Sequence, residues 1–429
     1  MDSALAPRTD GGRLQTSHER PGLGTPTPTP TSLTLGHPAL EGGEVNRPTV
    51  GEQPRIEAQG EVPERSEGEE GQDIDPPRPR TFFSEPARPS LPEGGRESGN
   101  FPAVGETMQA IRVASAGGPE VLEWAEIEVP EPGPGQVLVR VAAAGVNFID
   151  TYQRSGLYPM DLPFTPGLEG AGFVESRASD VTDLEIGARV AWPATLGSYA
   201  QFAAVPADRL VPVPDAIDLD LAAATMLQGM TAHYLALSTF PLEAGQSCLI
   251  HAGAGGVGQL LIQIAKRQAA RVFATVGTAD KAELARAAGA DHVIIYTEHD
   301  FQVEIERIAG PKAIDVVYDG VGADTVEAGM ELLRPRGMMV TFGNASGPPP
   351  DLAAFQLMRL GSLLYTRPSL KDYIATRSEL EERAFDLFRW IEDGRLNVNI
   401  GARFPLADAA GAHRALEGRS TTGKVLLDV

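Results

Sequence analysis

The strongest chemical signal in the 429-residue chain is Cys248-Leu249-Ile250-His251-Ala252-Gly253-Ala254-Gly255-Gly256-Val257-Gly258. Gly253, Gly255 and Gly258 satisfy G-x-G-x-x-G between a short apolar run and an amphipathic one. Missing side chains at these positions let the backbone approach a pyrophosphate, whose charge settles at the positive end of the next helix. The chemistry implied is dinucleotide binding. A plain turn would need the same glycines, but not a strand before them and a helix after. Cys248 and His251, on the entering strand, are expected to pack in the core.

The second strand after this loop indicates which dinucleotide. Sites for NAD place an acid at that strand's tip to hold the ribose 2′-hydroxyl. Here Arg271–Val276 runs into Gly277-Thr278-Ala279-Asp280-Lys281. The tip is Gly277, which leaves room for a 2′-phosphate, and Lys281 can neutralise it. Asp280 lies where the NAD-type acid could also be sought, or it begins a helix, where an acid is ordinary. NADP(H) is favoured.

These residues need a scaffold, and the rhythm of the chain supplies one. From Met108 to about Gly229 short strand-like runs alternate with Gly and Pro, including Pro130-Glu131-Pro132-Gly133-Pro134-Gly135. From Met230 the pattern becomes strand, helix, strand, helix. Strands are expected at Ser247–Ala252, Arg271–Val276, His292–Tyr296, Ala313–Tyr318, Gly337–Phe342 and Ser362–Thr366. Helices are expected at Val257–Gln268, Lys281–Ala288, Phe301–Ala309 and Thr325–Leu333. Short apolar strands alternating with amphipathic helices require a parallel sheet covered on both faces, and six strands make a doubly wound dinucleotide-binding unit. A long helix over Leu370–Glu392 follows, then strand, helix and strand, which return to the β-rich part. Leu221–Leu242 carries no charge, but its Gln228, Gly229, Thr231, His233, Ser238 and Pro241 make it a buried helix and loop rather than a membrane span.

Residues 1–107 read differently. They carry 16 of the 35 prolines and a charge of −8, with no helical or strand period, and disorder is expected. Met108 opens a strand-like run and is a plausible true start of translation. No signal or transit pattern is found, and one cysteine excludes a disulfide framework and any zinc site built on several thiolates. A cytoplasmic protein is expected. The net charge of −22 divides into −8 and −14, which disfavours a nucleic-acid partner.

Residues 108–429 resemble the zeta-crystallin-type quinone oxidoreductases of the medium-chain dehydrogenase/reductase superfamily. Around the glycine loop the resemblance rests on Gly245-Gln246, Leu249, Gly253 to Gly256, Gly258, Gln263 and Lys266. Further blocks are Gly117 to Leu122, Gly145 to Tyr152, Arg154 to Pro159, Pro166 to Gly172, Gly343 to Gly347, Thr366 to Ser369 and Thr421 to Lys424. The resemblance implies an α/β protein with a GroES-like β-rich catalytic domain (108–229 and 368–429) and a Rossmann domain (230–367). It implies NADPH as hydride donor, a cleft between the domains and a homodimer.

Zinc-dependent members of the superfamily carry Cys where this chain has Asn147 and His where it has Leu168, so a metal-free enzyme is expected. Without zinc, a carbonyl must already be electron-poor to accept hydride, which points to quinones or conjugated enones given orientation and a proton donor. By resemblance, Asn147, Tyr152 and Tyr158 line the reaction centre, with either tyrosine as the proton donor, while Asp150 organises the loop. Asn147, Thr231 and Tyr234 meet the nicotinamide end. Gly253, Gly255, Gly256, Val257 and Gly258 cradle the pyrophosphate, and Gly277, Thr278, Lys281 and Tyr296 surround the 2′-phosphoadenosine. Phe342, Gly343 and Asn344 border the ribose, and Arg367 and Gly423 close the channel. Reduction of a quinone is the leading reading, reduction of an α,β-unsaturated carbonyl compound the enzymatic alternative, and RNA binding or a structural role the alternative of another class.

Overall fold

The computed structural model describes residues 106–429. The expectation for 1–107 falls almost wholly outside them. Along the chain the elements are β1 (Thr107–Arg112), β2 (Glu123–Glu128), β3 (Gln136–Val146), α1 (Phe148–Ser155), β4 (Glu169–Arg177), β5 (Arg189–Pro193), β6 (Phe202–Pro206), β7 (Val211–Pro212) and α2 (Leu219–Tyr234). The alternating part follows with β8 (Ser247–Ile250), α3 (Gly256–Arg267), β9 (Arg271–Val276), α4 (Ala279–Ala287), β10 (His292–Ile295), α5 (Phe301–Ala309), β11 (Ile314–Asp319), α6 (Val326–Leu332), β12 (Leu333–Thr341), α7 (Ala354–Gly361) and β13 (Leu364–Thr366). The chain closes with α8 (Leu370–Tyr373), α9 (Arg377–Glu392), β14 (Ile400–Pro405), α10 (Ala409–Glu417) and β15 (Lys424–Asp428).

Two large sheets result. The six-stranded one is parallel, in the order β10-β9-β8-β11-β12-β13. Its central strands are buried along nearly their whole length, as in Cys248, Leu249 and Ile250, because helices cover both faces. The order reverses between β8 and β11, so the loops after these two strands border one crevice, the place where ligands enter such sheets. The seven-stranded sheet has the path β14-β15-β3-β4-β5-β7, with β6 also on β3. As expected, the C-terminal strand returns to the β-rich part: β15 lies antiparallel on β3, with Val425 opposite Val146.

The charge-free segment becomes α2, buried from Ala222 to Met226 and from Gly229 to Tyr234, then one π-helical turn over Leu235–Thr239. Among the described residues no helix is long and apolar enough to cross a membrane. The helix expected over Leu370–Glu392 is two helices. Thr376 and Glu379 form a capping box, each side chain accepting from the other's backbone N–H, and this starts a fresh N-terminus at Arg377. Helix α7 was not expected. It is short and amphipathic, with only Leu360 buried, and it follows a run of prolines that reads as a loop.

Candidate active site

The glycine loop lies where the sequence puts it. Gly255 caps α3, and Gly253 N–H donates to the Thr275 carbonyl at 3.0 Å, tying the loop to β9. Close packing explains the other glycines. A Cβ on Gly253 would stand 2.9 Å from the Ala274 Cβ, and one on Gly258 would stand 2.3 Å from the Ala252 carbonyl oxygen. At Gly255 a Cβ would meet only that same oxygen, at 3.2 Å. The loop is therefore packed hard on its inner side and open at Gly255.

A cleft of about 660 Å³ runs from this loop to the β-rich sheet. Of the sequence-predicted residues, Asn147, Tyr152, Tyr158, Thr231, Tyr234, Gly255, Gly256, Val257, Gly258, Gly277, Lys281, Tyr296, Phe342, Gly343, Arg367 and Gly423 all line it. Gly253, Thr278 and Asn344 do not. Gly253 is on the inner side of the loop, packed towards Ala274 and Ile262. Thr278 caps α4, its hydroxyl accepting from Lys281 N–H at 3.4 Å. Asn344 stands behind the wall as a support, with its backbone N–H on the Tyr152 hydroxyl at 2.8 Å.

One end of the cleft is basic. Lys281 lines it together with Arg419, a residue that sequence reasoning missed, and the Lys281 Nζ donates to the Arg419 carbonyl at 2.6 Å. Partial burial and then the nearby Arg419 charge hold the Lys281 ammonium below the usual lysine range. Two cations facing one space without an acid suit a phosphate dianion. Asp280 sits in the first turn of α4 and does not line the cleft. Gly277 puts no acid at the strand tip either, and a Cβ there would come within 2.7 Å of the Tyr296 hydroxyl, which would have to move aside.

The other end is apolar and aromatic, walled by Phe148, Ile149, Leu168, Ala194 and Leu227 beside the tyrosines. Tyr152 and Tyr158 meet edge to face at 5.3 Å. The Tyr158 hydroxyl accepts from Arg367 Nη2 at 3.1 Å and from Asn344 Nδ2 at 3.4 Å. Each tyrosine oxygen thus acts as an acceptor towards the protein and keeps its O–H for another partner. Burial pushes the Tyr152 hydroxyl up to about 12, so it stays protonated at neutral pH. Thr231 back-bonds to the Leu227 carbonyl at 2.7 Å, and Tyr234 stacks on Tyr373 at 4.3 Å.

Asn147 caps α1, and its side chain is spent within the protein. Nδ2 donates to Glu169 Oε1 at 2.7 Å, while Oδ1 accepts from Gln228 Nε2 at 3.1 Å and Lys424 Nζ at 3.0 Å. Asn147 offers the cleft a surface rather than a hydrogen bond. Asp150 completes the capping box, its Oδ2 accepting from Asn147 N–H at 2.8 Å and from the Tyr199 hydroxyl at 3.0 Å. Behind it His413 is held neutral, its pKa lowered to about 3 by burial and then by Arg154. Arg154 donates to Nδ1, so Nε2 carries the proton and donates to Tyr199 at 3.2 Å.

Full burial pushes the Asp150 carboxyl from 3.8 up to about 7, against the lowering effect of Asn147 N–H, Tyr199 and Lys424. The folded chain therefore holds this proton more tightly than the unfolded one. That stability is complete below about pH 4 and is lost as pH rises through about 7. Asp150→Asn is expected to lose less melting temperature than the wild type between about pH 5.5 and about pH 8. Parallel losses in a thermal scan at the two pH values would remove Asp150 as the source.

Residues 133–215 match the alcohol dehydrogenase GroES-like domain and residues 256–390 the zinc-binding dehydrogenase family. The quinone oxidoreductase of Pseudomonas aeruginosa is 44% identical over 319 residues, which is 74% of this chain and 98% of that protein. The chain belongs to the quinone oxidoreductase family. This places it in the medium-chain dehydrogenase/reductase superfamily. A 2-haloacrylate reductase from a Burkholderia species is also similar, 41% identical over 75% of this chain and 98% of its own length. The structure of Escherichia coli quinone oxidoreductase complexed with NADPH superimposes with a TM-score of 0.73 at 42% identity, covering 75% of this chain and all of that one.

The zinc in one of these family names finds no fitting donors here. Among the described residues no three His, Cys, Asp or Glu side chains gather as ligands, and an ammonium, Lys424 Nζ, already lies against Asn147. Among the residues that sequence reasoning missed are four from the loop after β11, where Gly320, Val321, Asp324 and Thr325 line the cleft. Their signal was available: the crevice at a strand-order reversal is bordered by two loops, and only the glycine-rich one was sought.

Proposed function

We propose that this protein is an NADPH-dependent quinone reductase that works without zinc. The observation that carries the reading is a single cleft with a two-cation end at Lys281 and Arg419, a glycine loop in its middle and an aromatic end with two tyrosine hydroxyls. NADPH, when bound, supplies the hydride. The chain's own part is to hold the cofactor along the loop, exclude water with Phe148, Ile149, Leu168 and Leu227, and donate a proton to the acceptor oxygen from Tyr158 or Tyr152. Arg367 donates to the Tyr158 oxygen and so fixes the direction in which that hydroxyl can give its proton. In this reading 108–229 with 368–429 is the catalytic domain and 230–367 the cofactor domain, the linking helix α2 spanning their boundary.

The likeness to 2-haloacrylate reductase favours conjugated carbonyl compounds as a second acceptor class, which the same cleft admits. Two further readings rest on the surface and the thiol. Phe355, Met358 and Leu364 are exposed on α7 and the edge strand β13, which supports a homodimer formed through the six-stranded sheets. The lone cysteine, Cys248, is buried and unpaired, which suits the reducing cytoplasm.

The deciding experiment is NADPH oxidation by the purified chain with quinones and alkenals side by side. Quinones are expected to be turned over best, and Tyr158→Phe to lower their kcat about a hundredfold to ten-thousandfold. A hundredfold preference for alkenals would assign the enzyme to the second class.

A further inference from the structure

A lysine and a glutamate are buried together beside the reaction centre, and the reductase reading gives them no task. Lys424, the first residue of β15, is 1% exposed, and Glu169, the first residue of β4, is 0% exposed. The ammonium uses its three donors on Glu169 Oε1, Asn147 Oδ1 at 3.0 Å and the Val146 carbonyl at 3.3 Å. Glu169 Oε2 accepts from Leu227 N–H of α2 at 2.7 Å. The pair therefore ties together β3, β4, β15 and α2.

The arrangement has a direction. A carboxylate only accepts and an ammonium only donates, so Glu169 must face Asn147 Nδ2 and Lys424 must face Asn147 Oδ1. That orientation obliges Gln228 to present Nε2 to Asn147. Its Oε1 then turns towards Gly256 of the glycine loop, where a Cβ would stand 1.7 Å away, and it has no partner there. Lys424 also follows Gly423, whose backbone N–H donates to the Ala254 carbonyl at 2.9 Å. One residue thus fixes the reaction-centre wall by its side chain and adjoins the cofactor loop by its backbone.

We propose that Lys424 is a positioning residue for hydride transfer: with Glu169 it sets the amide orientation of Asn147, and through Gln228 it aligns the reaction-centre wall with the glycine loop. The proposal rests on the reductase reading for its kinetic test but not for its second readout.

The test compares Lys424→Met, Lys424→Arg and the double variant Lys424→Met/Glu169→Gln in the NADPH–quinone assay. Lys424→Met leaves Glu169 buried without a counter-charge and should lower the melting temperature by about 5–10 °C. The double variant has no charge at either position and should regain most of that stability. Its kcat should nevertheless stay at least about tenfold below wild type, because a neutral amide at 169 no longer dictates which way Asn147 faces. Lys424→Arg should recover part of kcat. If the double variant recovers kcat together with stability, the pair is only structural and the proposal is overturned. Amide exchange over residues 147–155 needs no acceptor. It should be faster in the double variant and near wild type in Lys424→Arg; unchanged exchange in the double variant overturns the proposal even if the wild type reduces no quinone.

Discussion

Gly255→Val is expected to abolish NADPH binding while leaving the fold intact. A Cβ at this position would meet one protein atom, the Ala252 carbonyl oxygen at 3.2 Å. Gly255 lines the cleft where the backbone is to approach the pyrophosphate, so a valine would occupy space the cofactor needs. Gly255 has φ −76°, which valine adopts without strain. An affinity loss of about a hundredfold or more should therefore accompany a melting temperature within a few degrees of wild type. Gly258 provides the contrast. A Cβ there stands 2.3 Å from a backbone oxygen and 2.9 Å from the Gly253 Cα, so Gly258→Ala must displace the loop itself. Fluorescence titration with NADPH and a thermal scan of each variant separate the two effects. Retained NADPH affinity in Gly255→Val would show that the cofactor does not cross this loop.

Replacing Lys281 and Arg419 together by Ala is expected to reverse the cofactor preference. Each charge-assisted hydrogen bond to a phosphate is worth about 1.5–3 kcal/mol, so NADPH should bind at least about a hundredfold more weakly. NADH has no 2′-phosphate and should lose less than about threefold. Titration of wild type and variant with both nucleotides checks this, and equal losses for the two would place the 2′-phosphate elsewhere.

The sequence made the scaffold legible because its signals are local. Arg271–Val276 and Phe301–Ala309 begin and end at the expected residues, since a buried parallel strand is a continuous apolar run and an amphipathic helix shows its period. The glycine loop was legible for the same reason. The break between α8 and α9 was not read because the capping box at Thr376 and Glu379 lies inside an otherwise uninterrupted helical pattern. Arg419, Gln228 and the pairing of Lys424 with Glu169 were hidden for another reason. Their meaning depends on partners 81 to 255 residues away in sequence, and nothing in a lysine's neighbours says that it will be buried. Asn147 lies between these cases: resemblance marks its position, but only Glu169, Gln228 and Lys424 reveal that its amide is already committed.

The route of the chain also dictates an order of assembly. The six-stranded sheet is built from one uninterrupted stretch, from Ser247 to Thr366, so its strands find neighbours close at hand. The seven-stranded sheet must bring Val425 back to Val146, across the whole of the other sheet. Closing so distant a pairing is slow, and it gains most once the intervening segment is already compact. The six-stranded sheet should therefore mature first in refolding, and the seven-stranded sheet, with its buried ammonium, should lock last.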